Sequence, residues 1–221
     1  MAKTVAVIPA FNEAKRIAEV IRRTRRYVDA VLVVDDGSSD DTMDVARKAG
    51  ATVMRLPRNR GAGFATRAGC DYAVGSMVAK RLVIIDADGQ HNPADIPGLL
   101  KRLGLGFDIA FTFRRPSGEM PLVKRFGNWW LTFSTKLLSG ISVSDSQSGF
   151  KAMTAEAFRK LELTSERYEI CSEMVFETGR KRLHYCEIAI DARAPSSAKK
   201  GTAVADGVKI FANMLGMRVR R

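Results

Sequence analysis

Leu82-Val83-Ile84-Ile85-Asp86-Ala87-Asp88-Gly89-Gln90-His91-Asn92-Pro93 is the stretch on which the reading of this chain turns. Its aliphatic, mostly β-branched opening has the composition of a strand covered on both faces. It then delivers two carboxylates one residue apart, a glycine and an amide. Carboxylate and amide oxygens are hard ligands suited to Mg2+ or Mn2+. Ligands of open α/β sheets gather at the carboxyl ends of strands. The stretch therefore predicts a divalent metal at a strand end, gripping the diphosphate of a nucleotide. A polar turn after a core strand is the plainer reading of Asp86-Ala87-Asp88 alone, and the flanking chain decides between the two.

Upstream, short buried strands alternate with helical patterns. Thr4–Ile8 reads as a strand closed by Pro9, and Asn12 precedes a helix whose stripe is Ile17, Ile21, Thr24 and Val28. Ala30–Val34 is a second strand, ended by Asp35-Asp36-Gly37-Ser38-Ser39-Asp40-Asp41, a cluster expected to turn and cap the next helix. Gly50 stops that helix, and Ala51–Met54 is a third strand. Arg58-Asn59-Arg60-Gly61-Ala62-Gly63 then enters a helix of small residues, a loop able to approach a phosphate closely.

Downstream, Asn92 and Pro93 supply an N-cap and first helical position ahead of Ile96, Leu99, Leu100 and Leu103. Asp108–Phe113 is a strand that leads into Arg114 and Arg115, and a longer helix is predicted over Leu122–Leu138. The loop Ser144–Gly149 precedes a strand, Phe150–Met153, and Thr154 caps another helix. Ile170–Arg182 is predicted helical, and Tyr185–Asp191 alternates as a strand with Cys186, Ile188 and Ile190 inward. The βα alternation predicts a mainly parallel sheet flanked by helices.

With 221 residues and a net charge of +12, the chain has room for a full core and calls for an acidic partner. The candidates are anionic lipid, phosphorylated substrates and nucleic acid. No helix-turn-helix, zinc-ligand or aromatic RNA-binding pattern speaks for nucleic acid. Three scattered cysteines (Cys70, Cys171, Cys186) predict a reduced compartment without a disulfide framework. The start runs straight into a strand, which predicts no signal peptide. No apolar run reaches the roughly 18 residues of a membrane span.

Four motifs occupy fixed places on this scaffold: Pro9-Ala10-Phe11-Asn12-Glu13, Asp35-Asp36-Gly37-Ser38, Asp86-Ala87-Asp88-Gly89-Gln90 and Asp145-Ser146-Gln147-Ser148-Gly149-Phe150. Together, from Val5 to about Lys200, the chain resembles family-two glycosyltransferases of the GT-A fold, most closely the dolichyl-phosphate mannose synthase branch. The resemblance implies a Rossmann-like GT-A domain over residues 1–201; beyond it, Val204, Val208, Phe211 and Leu215 at helical spacing predict an amphipathic basic helix over 202–221. It implies that Pro9, Phe11 and Glu13 line the nucleotide pocket, Asp36 contacts the base, and Asp86, Asp88 and Gln90 hold metal and diphosphate. Arg114, Arg125 and Arg193 match the basic residues that hold the acceptor's phosphate, with Lys199 after them. Ser196 and Ala198 depart from the glycine and serine usual in that branch. The implied reaction is inverting transfer of a hexose from a GDP-mannose or UDP-glucose type donor to a polyprenyl or dolichyl phosphate, with Mg2+ or Mn2+.

A phosphate acceptor carries its own negative oxygen, so it needs orientation more than deprotonation, and bidentate arginines suit that task. A relative using a soluble glycan or small-molecule acceptor would need a carboxylate base, for which Asp145 is the candidate. A non-catalytic basic domain is the third reading, and the intact Asp86, Asp88 and Gln90 weigh against it. His91 and His184 read as structural, and Glu173 reads equally as a family match or a solvated helix face. A bilayer acceptor implies a place on the cytoplasmic face of the membrane. There Val204, Val208, Phe211 and Leu215, beside Lys209 and the terminal arginines, would meet an anionic surface. A separate membrane-anchor protein is the alternative, as is packing of that stripe on the domain.

Overall fold

The computed structural model describes residues 3–115, 136 and 139–191. The helix expected over Leu122–Leu138, save Lys136, and the loop and tail from Ala194 onward lie outside the described residues, as do Arg125, Arg193 and Lys199.

Among the described residues the strands are β1 (Thr4–Ala10), β2 (Ala30–Asp35), β3 (Thr52–Arg55), β4 (Arg81–Ile84), β5 (Ile109–Arg114), β6 (Lys151–Thr154) and β7 (Tyr185–Ile190). They form one sheet in the order β3-β2-β1-β4-β6-β5-β7. β6 runs antiparallel to both of its neighbours, and the other pairs are parallel. The mainly parallel sheet expected from the sequence is therefore present, with one reversed strand near its middle. That reversal has a topological cause. The chain leaves β5 at the carboxyl end of the sheet and returns through Ser144–Gly149, so it must enter the gap between β4 and β5 from that end. Val83 consequently pairs with Ala152 and Ile84 with Lys151.

Helices cover both faces. On one side lie α1 (Ile17–Thr24), α2 (Thr42–Lys48) and α4 (Ile96–Gly104), whose Ile17, Ile21, Ala46, Ile96 and Leu99 pack with the sheet's Ala6, Ile8, Val33 and Val83. On the other lie α3 (Ala62–Gly75), α5 (Ala155–Lys160) and α6 (Ile170–Arg180), meeting Val5, Val7, Leu32 and Met153. Coverage of both faces explains why β1 and β2 read as continuous apolar runs: Val5, Val7, Ile8, Leu32 and Val33 are fully buried.

Capping follows the sequence at some helices and not at others. Thr154 accepts from the Ala157 amide at 3.0 Å and starts α5 as expected. The Asn92 side chain accepts from the Ala94 amide at 3.2 Å, opening a short 3-10 turn before α4. Asn12 does not cap α1, because it sits in the left-handed region (φ 55) and the helix starts only at Ile17. Asp41 precedes α2 without a side-chain cap; Asp40 accepts from the Thr42 amide instead, at 3.0 Å. In β7, Ile190 is buried, and Cys186 and Ile188 pack against the α1/α2/α4 layer from half-buried positions.

α3 owes its close seat on the sheet to small residues. A β-carbon at Gly69 would lie 2.6 Å from side-chain methyls of both Val7 and Val34. Gly69→Leu is expected to overpack this interface and destabilise the protein by about 1–3 kcal/mol. A thermal melt checks it, and an unchanged midpoint would show that the layers can part without cost.

Candidate active site

The carboxyl ends of β1, β2, β4 and β5 converge on one edge of the sheet and deliver the predicted side chains there. The β1 and β2 ends are stitched to each other. The Asn12 amide donates to Ser38 Oγ at 2.9 Å, and the Ser39 amide donates to Asn12 Oδ1 at 2.9 Å. The Glu13 amide donates to Thr42 Oγ1 at 2.8 Å, while its buried carboxylate pairs with Arg16 at 2.9 Å. Phe11 is 42% exposed, a large apolar side chain offered to solvent at the strand end.

Asp36 is buried, and its two carboxylate oxygens accept the amides of Arg60 and Gly61 at 2.7 and 2.8 Å. The basic glycine loop is thereby held against the β2 end. Gly37 (φ +71) allows the approach, since a β-carbon there would lie 2.7 Å from the Arg58 carbonyl carbon. Arg60 stacks over the Phe64 ring at 3.7 Å. The Phe64 amide at the start of α3 donates to the Glu166 carbonyl at 3.0 Å. These three amides are bonded to protein oxygens, which fixes the loop as a wall of the site.

Asp86, Asp88 and Gln90 stand together beyond β4. Asp86 Oδ2 lies 3.2 Å from His91 Nε2, and the buried His91 ring packs against Phe150 with centroids 5.4 Å apart. Burial by itself would raise the Asp86 pKa, but the His91 hydrogen bond and the charges of His91, Lys151 and Arg114 hold it below the ordinary value. Asp88 moves the other way: burial, with Asp86 and Glu13 adding repulsion, raises it against the bond it accepts from the Gln90 amide. Gln90 Nε2 donates to Asp88 Oδ2 at 2.7 Å.

This donor set fits a metal shared with a substrate. Among the described residues no group of three or more His, Cys, Asp or Glu forms a ready cage. A pair of crowded carboxylates and an amide suits Mg2+ or Mn2+ that takes its remaining ligands from phosphate oxygens and water. The repulsion from Asp86 and Glu13 that adds to burial in raising Asp88 is the kind a bound cation would relieve.

Gly149 presses against Asp86: a β-carbon there would lie 2.6 Å from the carboxyl carbon. Four residues earlier in the same loop, Asp145 Oδ2 accepts from Arg114 Nε at 2.7 Å. Burial disfavours the Arg114 charge, but Asp145 and Asp86 more than offset it, so the guanidinium pKa is raised. Asp145 Oδ1 accepts from the Gln147 amide at 3.0 Å. The carboxylate considered as a base for a soluble acceptor is thus engaged in orienting an arginine.

The structure therefore brings together Pro9, Phe11, Glu13, Asp36, Asp86, Asp88, Gln90 and Arg114 along one edge. Sequence reasoning missed Lys151, which is 2% exposed on β6 and acts electrostatically on Asp86. A charged residue between Phe150 and Ala152 was the signal for it. Glu173 was read as family match or solvated face; it is fully buried, and the solvated reading is wrong. His91 contacts Asp86 and holds the Asp86–Gln90 loop from within.

Residues 5–162 match the family described as Glycosyl transferase family 2. The chain is 32% identical over 241 residues to a UDP-N-acetylglucosamine–dolichyl-phosphate N-acetylglucosaminyltransferase of Methanococcus voltae, covering 96% of this chain and 95% of that protein. It is 29% identical to an undecaprenyl-phosphate mannosyltransferase of Micrococcus luteus, covering 85% and 82%. Among solved structures, glucosyl-3-phosphoglycerate synthase from Mycobacterium tuberculosis, crystallised with Mn2+, UDP-glucose and phosphoglyceric acid, superposes with a TM-score of 0.80 at 24% identity. That superposition covers 98% of this chain and 80% of the other, and it establishes a shared GT-A fold.

Asp36 supports a direct test. Asp36→Ala removes a charged acceptor from two amides, a contact worth about 1.5–3 kcal/mol per hydrogen bond. Hydrogen exchange at Arg60 and Gly61 is expected to speed up by about tenfold or more. Unchanged protection would mean that something else holds the loop.

Proposed function

This chain belongs to glycosyl transferase family 2, and we propose that it moves a hexose from a nucleoside diphosphate sugar to a polyprenyl phosphate. The observation that carries the reading is the pairing, across Gly149, of a carboxylate cluster with a half-buried, carboxylate-oriented arginine. One end suits a metal and diphosphate, the other a phosphate monoester. The two relatives named above act on dolichyl and undecaprenyl phosphate, and they differ in the sugar. A GDP-mannose or UDP-glucose type donor remains part of the proposal.

Asp86, Asp88 and Gln90 would hold the divalent cation, which supplies charge neutralisation for a departing diphosphate. Phe11, Glu13 and Asp36 line or shape the nucleotide end, with Asp36 acting on the loop of Arg60 and Gly61. Arg114, fixed by Asp145, grips the acceptor phosphate and turns one anionic oxygen toward the anomeric carbon. That oxygen forms the new bond as the sugar–diphosphate bond breaks, and its electron pair leaves with the nucleoside diphosphate. The configuration inverts, and no proton has to be removed from the attacking oxygen. From sequence, Arg125, Arg193 and Lys199 join Arg114 at the acceptor.

A screen of nucleotide sugars against a short polyprenyl phosphate, with Mg2+ or Mn2+, tests the reading. Transfer is expected with one donor and is expected to vanish in EDTA. Asp88→Ala should reduce kcat by orders of magnitude, since it removes stabilisation worth several kcal/mol. Arg114→Ala should raise the acceptor KM while leaving nucleoside diphosphate affinity intact. Full activity in EDTA, or equal loss of donor and acceptor binding in Arg114→Ala, would overturn the assignment.

Among the described residues no helix is long and apolar enough to cross a membrane. The proposed acceptor lives in a bilayer, so the amphipathic sequence of Thr202–Arg221 is assigned to an anionic surface on the cytoplasmic face, at about 1 kcal/mol per basic residue. The full chain should cosediment with anionic liposomes and release in high salt. A chain cut after Gly201 should bind much less, and equal binding by both would remove the tail from this role.

A further inference from the structure

Two adjacent buried side chains of α6 reach the two halves of the site by separate routes. Glu173 takes the nucleotide side. Its Oε1 accepts from the Thr164 amide at 2.8 Å and from Thr164 Oγ1 at 2.7 Å, and its Oε2 accepts from the Ser165 amide at 2.9 Å. One turn further on, Glu177 accepts from the Glu162 amide at 3.2 Å. The loop held in this way is clamped onto α3 and the basic glycine loop. Glu166 receives the Phe64 amide at its carbonyl (3.0 Å) and Arg60 at its carboxylate (2.7 Å). Arg67 donates to the Leu163 carbonyl at 2.8 Å. The fit is close, because a β-carbon at Gly63 would lie 2.7 Å from the Ser165 carbonyl oxygen.

Ser172 takes the other side. Its Oγ accepts from Gln147 Nε2 at 2.6 Å, and the Gln147 amide bonds the same Asp145 carboxylate that holds Arg114. Positions 172 and 173 lie about 100° apart around a helix, so neighbouring residues can serve two different loops. Ser172 and Glu173 are both fully inaccessible to solvent, which removes any surface role for them. A buried carboxylate accepting three hydrogen bonds is costly to disturb, because each donor it releases is left unsatisfied.

We propose that Glu173 and Ser172 are positioning residues that divide the site between them: Glu173 sets the nucleotide loop, and Ser172 sets the acceptor arginine. The inference rests on the transferase reading above and adds a mechanical frame to it. Neither residue touches substrate. Each acts through one loop, and the common helix keeps the two loops in register.

The split can be measured on the full chain. Calorimetry with GDP, UDP, CDP and dTDP in Mn2+ gives nucleotide affinity, and steady-state transfer to a short polyprenyl phosphate gives the acceptor KM. Glu173→Gln sets an amide NH2 against a backbone donor and should weaken nucleoside diphosphate binding by about tenfold, with the acceptor KM nearly unchanged. Ser172→Ala should do the converse, raising the acceptor KM by about fivefold at constant nucleotide affinity. Thr164→Val removes one donor at an exposed position, folds irrespective of the Glu173 result, and should weaken nucleotide binding by about threefold. If both α6 variants shift both constants by the same factor, or if Thr164→Val and Ser172→Ala shift neither, the proposal is wrong while the transferase reading stands. A wild-type chain that binds none of the four nucleotides removes the transferase reading, and this inference with it.

Discussion

The contact of Gly149 with Asp86 is the constraint on which the site depends. A carboxylate at the end of a parallel strand normally faces an open crevice. Here β6 is driven antiparallel into the gap between β4 and β5, and its entry loop arrives directly against that carboxylate. Any side chain at position 149 would displace either the loop or Asp86. The same loop carries Asp145, so the placement of Asp86 and the aim of Arg114 are set by one piece of backbone. The reversed strand is therefore what brings the carboxylate cluster and the arginine onto one edge of the sheet.

Charge is distributed to match. Glu13, Asp86 and Asp88 crowd the β1 and β4 ends, while Arg114, Lys151 and His91 face Asp86 from the other side. The buried Lys151 lowers Asp86 and also moderates the burial-raised thiols of Cys70 and Cys171. His91 bonds Asp86 directly at 3.2 Å. Asp86 thus has a structural partner, whereas Asp88 has mainly repulsive carboxylate neighbours offset by Gln90 and His91.

Much of this was legible in the sequence, because buried parallel strands and strand-end carboxylates are local patterns. The runs at Thr4–Ile8, Ala30–Val34 and Leu82–Ile85 announce strands by composition, and Asp86, Asp88 and Gln90 follow their strand immediately. What composition could not show was direction and partnership. Nothing in Phe150-Lys151-Ala152-Met153 says that the strand runs backward, since an antiparallel central strand is as apolar as a parallel one. The hold of Asp36 on the glycine loop left no local mark, because its partners, the amides of Arg60 and Gly61, are backbone groups 24 and 25 residues away. Glu173 looked half-surface because a glutamate satisfied by distant loop amides carries no local mark. Asn12 misled for the opposite reason: it has the chemistry of a cap, but the stitch between the β1 and β2 ends claims its side chain first.

The opposed shifts of Asp86 and Asp88 separate their tasks. Two carboxylates one residue apart share a crowded space, and environment decides which carries the charge more firmly. His91, Lys151 and Arg114 settle it in favour of Asp86, which is ionised well into acid and needs no metal to remain so. Asp88 holds its proton more readily, so a cation held there as proposed would compete with that proton, and its affinity would fall as pH drops through the raised Asp88 value. A site built this way keeps its architecture through Asp86, and under the proposed function it leaves Asp88 to answer the cation. Gly149 and His91 accordingly press on the first carboxylate, while the second is bonded within its own loop by Gln90.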